Sequence, residues 1–245
     1  MQRETTYDPV FDAQEHYRLL LDAMARPGKI NTLPRLILSV PAGATPNQGP
    51  AAQPGSGAHP DAAAFSDAAA SGSAPQPRSG TLTDAAALVG FALLNADVRF
   101  FVDGAGSDVA TRYLLVNTSG RPASLEEADF VFASGLASAA LVEAMKKGSL
   151  PYPEEGATLV LSVAALSAEA SQGATEASQI LALTLQGPGI NGKKTFFVRG
   201  LSARLLEALQ QSNVEFPLGV DLILTDGDGH VACIPRSSAF RWETI

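Results

Sequence analysis

Four patterns in this 245-residue chain are of types that could carry chemistry. Gly187-Pro188-Gly189-Ile190-Asn191-Gly192 matches the G-x-G-x-x-G of dinucleotide sites letter for letter. That fingerprint must open a helix whose N-terminal N–H groups receive a pyrophosphate. Here the glycines run into Lys193-Lys194-Thr195-Phe196-Phe197-Val198, a strand sequence, and Pro188 removes one donor. The pattern therefore predicts a turn. Asp226-Gly227-Asp228-Gly229 opens like a calcium loop, but Val231 stands where that loop needs its central glycine and Ser237 where it needs its closing glutamate. It too predicts a turn between strands. Cys233, the single cysteine, sits in an apolar run as a small hydrophobe would, and it excludes an internal disulfide or a multi-cysteine metal centre. The lysines (Lys29, Lys146, Lys147, Lys193, Lys194) fall in turns or at a helix end, not in the desolvating pocket that a Schiff-base lysine needs. The residues alone thus predict no catalytic group, no cofactor site and no metal site. With only His16, His59 and His230 available, a zinc site would need carboxylates to complete it.

Charge narrows the partners. Lys+Arg 17 against Asp+Glu 25 leaves a net charge of -8 and a pI near 4.9, the reverse of the basic field that phosphate backbones require. No nucleic-acid partner is expected. The start of the chain lacks an apolar signal region, and no uninterrupted run of about 18 apolar residues occurs. The expectation is a soluble cytoplasmic protein that does not enter a membrane.

The elements that must position any site can be read from periodicity and punctuation. A helix is predicted over 12–26, capped by Asp12 with Glu15 completing a capping box, its inward stripe formed by Tyr17, Leu20, Leu21 and Met24. From 41 to 80 the composition turns to Ala, Gly, Pro and Ser. Such a segment buries too little apolar surface to offset its ordering entropy. It predicts a flexible insertion, either a tolerated loop or a docking arm, with a helical turn over 61–70. Beyond it come an almost wholly apolar helix at 84–95, a strand at 98–102, a helical or mixed stretch at 108–116, a strand at 130–132 and a helix at 135–147 closed by Gly148. The strand at 158–164 is continuously apolar, as in a sheet covered on both faces. Strands at 180–186 and 195–199 form one hairpin, a helix follows from Ser202 to about 211 with Leu205, Leu206 and Leu209 inward, and strands at 220–225 and 230–234 form a second hairpin. The fold class is α/β, a mixed sheet covered by helices.

Several segments together resemble the H subunit of bacterial carbon–phosphorus lyase. They are Asp12-Ala13-Gln14, Arg18-Leu19-Leu20, Ala23-Met24 and Pro27-Gly28 near the start; Pro153-Glu154-Glu155-Gly156-Ala157-Thr158-Leu159-Val160-Leu161; Leu185-Gln186-Gly187-Pro188-Gly189-Ile190; and above all Phe216-Pro217-Leu218-Gly219-Val220-Asp221-Leu222-Ile223-Leu224 followed by Ile234-Pro235-Arg236-Ser237-Ser238. The similarity spans nearly the whole chain, 1–245, as one domain interrupted by the insertion. The resemblance implies a homodimeric subunit of phosphonate catabolism that assembles with the G, I and J proteins. With G, I and L it would form ribose 1-methylphosphonate 5-triphosphate from ATP and a phosphonate, in a structural or positioning role. It also implies a fold similar to the pyridoxal-phosphate-dependent transferases, without their cofactor.

Within those matching segments, Pro217 and Gly219 predict a sharp turn into a buried strand. Asp221 inside that strand needs donors, and Arg26, Arg236 or backbone N–H groups are candidates. Arg26 and Arg236 could instead grip a phosphonate or phosphate. A stand-alone enzyme acting on a small anion through Arg26, Asp221 and Arg236 is the competing function. The apolar helix at 84–95 is compatible with self-association or with complete burial.

Overall fold

The computed structural model describes residues 7–34, 38, 82–170 and 179–245; the insertion expected at 41–80 and its helical turn lie outside them. Helices α1 (Phe11–Ala25), α2 (Asp84–Leu93), α3 (Ser107–Thr118), α4 (Ala139–Ala144) and α5 (Ala203–Ser212) surround two sheets. The strands are β1 (Asn31–Thr32), β2 (Arg99–Val102), β3 (Arg121–Pro122), β4 (Phe130–Ser134), β5 (Thr158–Ser162), β6 (Ala165–Ser167), β7 (Ile180–Gln186), β8 (Lys194–Arg199), β9 (Asp221–Thr225), β10 (His230–Ile234) and β11 (Ala239–Thr244). The seven-stranded sheet runs β1-β10-β9-β5-β4-β2-β3, parallel from β9 through β3 and antiparallel at β10 and β1. The second sheet, β11-β7-β8-β6, is antiparallel throughout. This is the expected mixed α/β architecture.

The continuous apolar strands follow from burial on both faces. In β5, Leu159 and Leu161 enter the core shared with the second sheet and α5, while Val160 faces the core beneath α1, α2 and α3. β9 divides likewise, Leu222 and Leu224 to one side and Ile223 to the other. Helix α2 is buried all round from Ala85 to Phe91 and capped by Thr83, whose hydroxyl accepts the Ala86 N–H. Its apolar surplus is therefore consumed in the chain's own core. Both expected hairpins form, β7–β8 and β9–β10.

Two expectations fail locally. Helix α1 buries His16, Leu20 and Ala23, while Tyr17 and Leu21 face outward at 48% and 55% exposure. Its start is also shifted. The Asp8 carboxylate accepts the N–H groups of Val10 and Phe11 at 2.8 and 2.9 Å, and the Asp12 carboxylate accepts the Asp8 N–H at 2.7 Å. These backbone donors hold the Asp8 carboxyl below its ordinary value. The helix expected over 135–147 is confined to α4. Gly135 is bound into the strand ends, donating to the Ser162 carbonyl and accepting from Ser202 N–H. Past α4, the carbonyls of Lys146 and Lys147 accept from Ala157 and Gly219, at 2.9 Å each, so the chain there is stretched between neighbouring loops rather than coiled.

Candidate functional site

Among the described residues, a cleft of about 510 Å³ opens at one edge of the large sheet, within the size range of small-molecule pockets. Phe130, Thr158 and Asp221, which align in register at the starts of β4, β5 and β9, form its floor. Pro153, Glu154, Phe216 and Pro217 form its walls. The cleft therefore lies at the N-terminal ends of the parallel strands, whereas open α/β sheets bind ligands beyond the C-terminal ends. That opposite edge is filled: Ser162, Thr225 and Asp226 are 6%, 0% and 1% exposed, and the chain crosses there into the second sheet.

Arg236 and Asp221 form the centre of the cleft. The Asp221 carboxylate accepts the backbone N–H of Arg236 at 2.7 Å, its Nε–H at 3.0 Å and an Nη2–H at 2.6 Å. The same guanidinium donates to the carbonyls of Pro153 at 2.9 Å and Gly156 at 3.2 Å. One side chain thereby joins β9, the segment after β10 and the 3-10 turn Pro153–Glu155. Glycine is needed at 156 because a Cβ there would overlap the guanidinium and approach the Gly219 carbonyl to 2.5 Å. Gly219 itself takes φ 141°, and Asn213 locks the turn, donating to the Val220 carbonyl and accepting its N–H. The donors that would grip an anion are largely committed to the protein.

Arg26 does not join this group. It ends α1, pairs with Asp22 and is 62% exposed; among the described residues no contact links it to Asp221 or Arg236. Its neighbourhood has a packing role, since the 187–192 turn folds against Ala25 and Pro27. Gly189, at φ 79°, lies where any Cβ would overlap the Ala25 carbonyl. Asp129 was not singled out by sequence reasoning, although an acid directly before an apolar strand was a visible signal. It accepts the Arg99 N–H at 2.6 Å and pairs with Lys146.

The Asp226–Gly229 turn is held by a buried carboxylate. Asp226 accepts the N–H groups of Asp228, His230 and Leu166 at 2.9, 3.0 and 2.9 Å and faces His230 Nδ1 at 2.9 Å. Asp226, Asp228 and His230 stand close enough to share a cation, but both Asp226 oxygens are already engaged, Oδ1 within its own turn and Oδ2 bracing the second sheet through Leu166. Cys233 is fully buried, and burial pushes its thiol well above the ordinary range, away from nucleophilic chemistry. The five lysines are exposed or half-buried; Lys29 pairs with Asp22 and Lys146 with Asp129. No helix among the described residues is long and apolar enough to cross a membrane.

Comparison with known proteins agrees with the motifs around this cleft. HtxG of Stutzerimonas stutzeri, which bears the name of a C-P lyase subunit, is 39% identical over 119 residues, 48% of this chain and 53% of that protein. The alpha-D-ribose 1-methylphosphonate 5-triphosphate synthase subunit PhnH of Rhizobium meliloti (strain 1021) is 27% identical over 238 residues, 96% of this chain and 94% of that protein. The model of the bacterial phosphonate metabolism protein (PhnH) family matches residues 59–241. Three-quarters of the chain is thereby covered, and it belongs to the PhnH family of bacterial phosphonate metabolism proteins.

Proposed function

We propose that this chain is the H-type subunit of a carbon–phosphorus lyase system, a positioning component of the assembly that forms ribose 1-methylphosphonate 5-triphosphate from ATP and a phosphonate. One observation carries the positioning role. The family-like residues Pro153–Gly156, Gly219–Asp221 and Arg236 meet at a single knot, with the guanidinium spread over a carboxylate and two carbonyls. A charge pair built to bind substrate would leave donors facing the cleft, whereas this one closes three loops into a fixed surface. The chain works as one domain with G, I and J as partners and L in the synthase step, without a cofactor of its own, in the cytoplasm. Its fold is taken to resemble that of the pyridoxal-phosphate-dependent transferases.

A homodimer is part of the same proposal. Helix α2 offers nothing to a second copy, being buried, but Val10 just before α1 and Tyr17 and Leu21 on it are exposed apolar side chains at helical spacing, which supports such a contact. The stand-alone enzyme is disfavoured because, among the described residues, no contact brings Arg26 to the Asp221–Arg236 pair. Affinity-tagged chain expressed with its native G, I and J homologues tests the assembly: co-elution in size-exclusion chromatography is expected, and elution of the chain by itself would refute the subunit role.

A further inference from the structure

Eleven large hydrophobic side chains are exposed among the described residues, and four of them stand on the two loops that wall the cleft. Leu150 and Tyr152 are 76% and 57% exposed on one loop; Val214 and Phe216 are 68% and 62% exposed on the other. These loops are not free coils. Ser149 and Tyr152 exchange backbone hydrogen bonds at 3.1 and 3.0 Å, Leu218 N–H donates to the Glu215 carbonyl at 3.0 Å, and Gly219 N–H ties one loop to the other through the Lys147 carbonyl. Arg236 fastens the base of the first loop through Pro153 and Gly156. Rigid aromatic and aliphatic knobs around a preformed hollow are the anatomy of an interface hot spot, because little ordering entropy is lost on docking.

The charges around the knobs say what docks there. Asp129 and Asp221 are held by their own cations, Lys146 and Arg236. Glu154, Glu155 and Glu215 are exposed and make no ion pair among the described residues, while Lys147 and Arg99, the latter 3.8 Å from Asp129, are cations near them outside those two pairs. A two-fold contact through this patch would set the acidic rim against itself, so a second copy of the chain is a poor occupant. Membrane surfaces and nucleic acids, both anionic, are repelled for the same reason.

Building on the subunit role above, we infer that the cleft and its loops 149–155 and 214–217 dock a different protein. That partner is another subunit of the assembly presenting an apolar face flanked by Lys or Arg. Its cationic side chain meets Glu154 and Glu215 while Tyr152 and Phe216 seat in its apolar pockets.

The test uses the full chain co-expressed with the G, I and J homologues, comparing wild type with Phe216→Glu, Tyr152→Ser and the double reversal Glu154→Lys/Glu215→Lys. Each variant should keep the wild-type melting temperature and its own oligomeric mass in light scattering, since every altered group is exposed. Phe216→Glu should weaken subunit binding at least about thirty-fold, the range of a hot-spot loss. The charge reversal should slow association and abolish its dependence on salt. Binding of Phe216→Glu and Tyr152→Ser within threefold of wild type would overturn the docking surface while leaving the assembly intact. Conversion of the chain from dimer to monomer by Phe216→Glu would also overturn it, assigning the patch to self-association. Wild-type chain that elutes by itself would overturn the assembly role and this docking surface together.

Discussion

Replacing Arg236 with Leu is the most informative single perturbation of the knot. The side chain is 12% exposed and Asp221 is 21% exposed, so the pair sits in a largely dry setting. The change removes two bonds to the carboxylate, from Nε at 3.0 Å and Nη2 at 2.6 Å, and two to carbonyls at 2.9 and 3.2 Å. Among the described residues, the Asp221 carboxylate then keeps only the backbone N–H of residue 236. Breaking a buried pair from one side costs about 3–5 kcal/mol. Partial access of water to Asp221 lowers this to about 2–4 kcal/mol. For a chain of this size a loss near 3 kcal/mol lowers Tm by about 6–12 °C. Asp221→Asn should cost less, about 1–2 kcal/mol, because the guanidinium keeps both carbonyls. Arg236→Lys should recover less than half of the loss, since one ammonium cannot span carboxylate and carbonyls together. Urea unfolding of wild type, both single variants and the Arg236→Leu/Asp221→Asn double variant closes a cycle with a coupling of at least about 1 kcal/mol. An Arg236→Leu variant within about 0.5 kcal/mol of wild type, or a coupling of zero, would refute the knot as a structural bolt.

Four further outcomes follow from local geometry. Gly156→Ala should lose about 1–3 kcal/mol in urea unfolding, because its Cβ would displace the Arg236 guanidinium. Gly189→Ala should lose about 2 kcal/mol, since φ 79° and the Ala25 carbonyl both exclude a side chain. Ser119 is the described non-glycine residue with positive φ, at 62°; Ser119→Gly should raise stability by about 0.5 kcal/mol, the relieved strain exceeding the added freedom of the unfolded chain. Burial holds the His16 imidazole below its ordinary value, so the unfolded chain binds a proton that the folded chain resists. Stability should be full above about pH 7 and fall as pH drops through about 6.5. A His16→Leu variant that shows the same loss between about pH 7.5 and 5.5 would assign the effect elsewhere.

Much of the architecture was legible because burial leaves a period. Thr158–Ser162 and Asp221–Thr225 read as continuous apolar runs since both of their faces are covered. The turns at 187–192 and 226–229 announced their hairpins through glycine and aspartate. Helix α1 was misread in its facing because apolar residues lie on both its sides; hydropathy cannot distinguish a core stripe from an exposed one. The stretch 135–147 was misread because its carbonyls are recruited by Ala157 and Gly219, partners distant in sequence. Strand β11 was overlooked although Phe240 and Trp242 alternate with Arg241 and Glu243, a usable signal. At the cleft, an aspartate in an apolar strand pointed to a buried pair, but nothing local showed that its arginine also held Pro153 and Gly156, some eighty residues away.

The most direct measurement of the positioning role is phosphorus NMR of turnover from ATP and methylphosphonate, with the purified chain alone, with the G, I and L homologues alone, and with all four. The expected result is no product from the chain alone, little from the three partners, and full formation of ribose 1-methylphosphonate 5-triphosphate on adding the chain. Arg26→Ala, which removes only an exposed surface pair, should support that formation as well as wild type. Product formed by the isolated chain and lost in Arg26→Ala would contradict the positioning role and make this protein an enzyme in its own right.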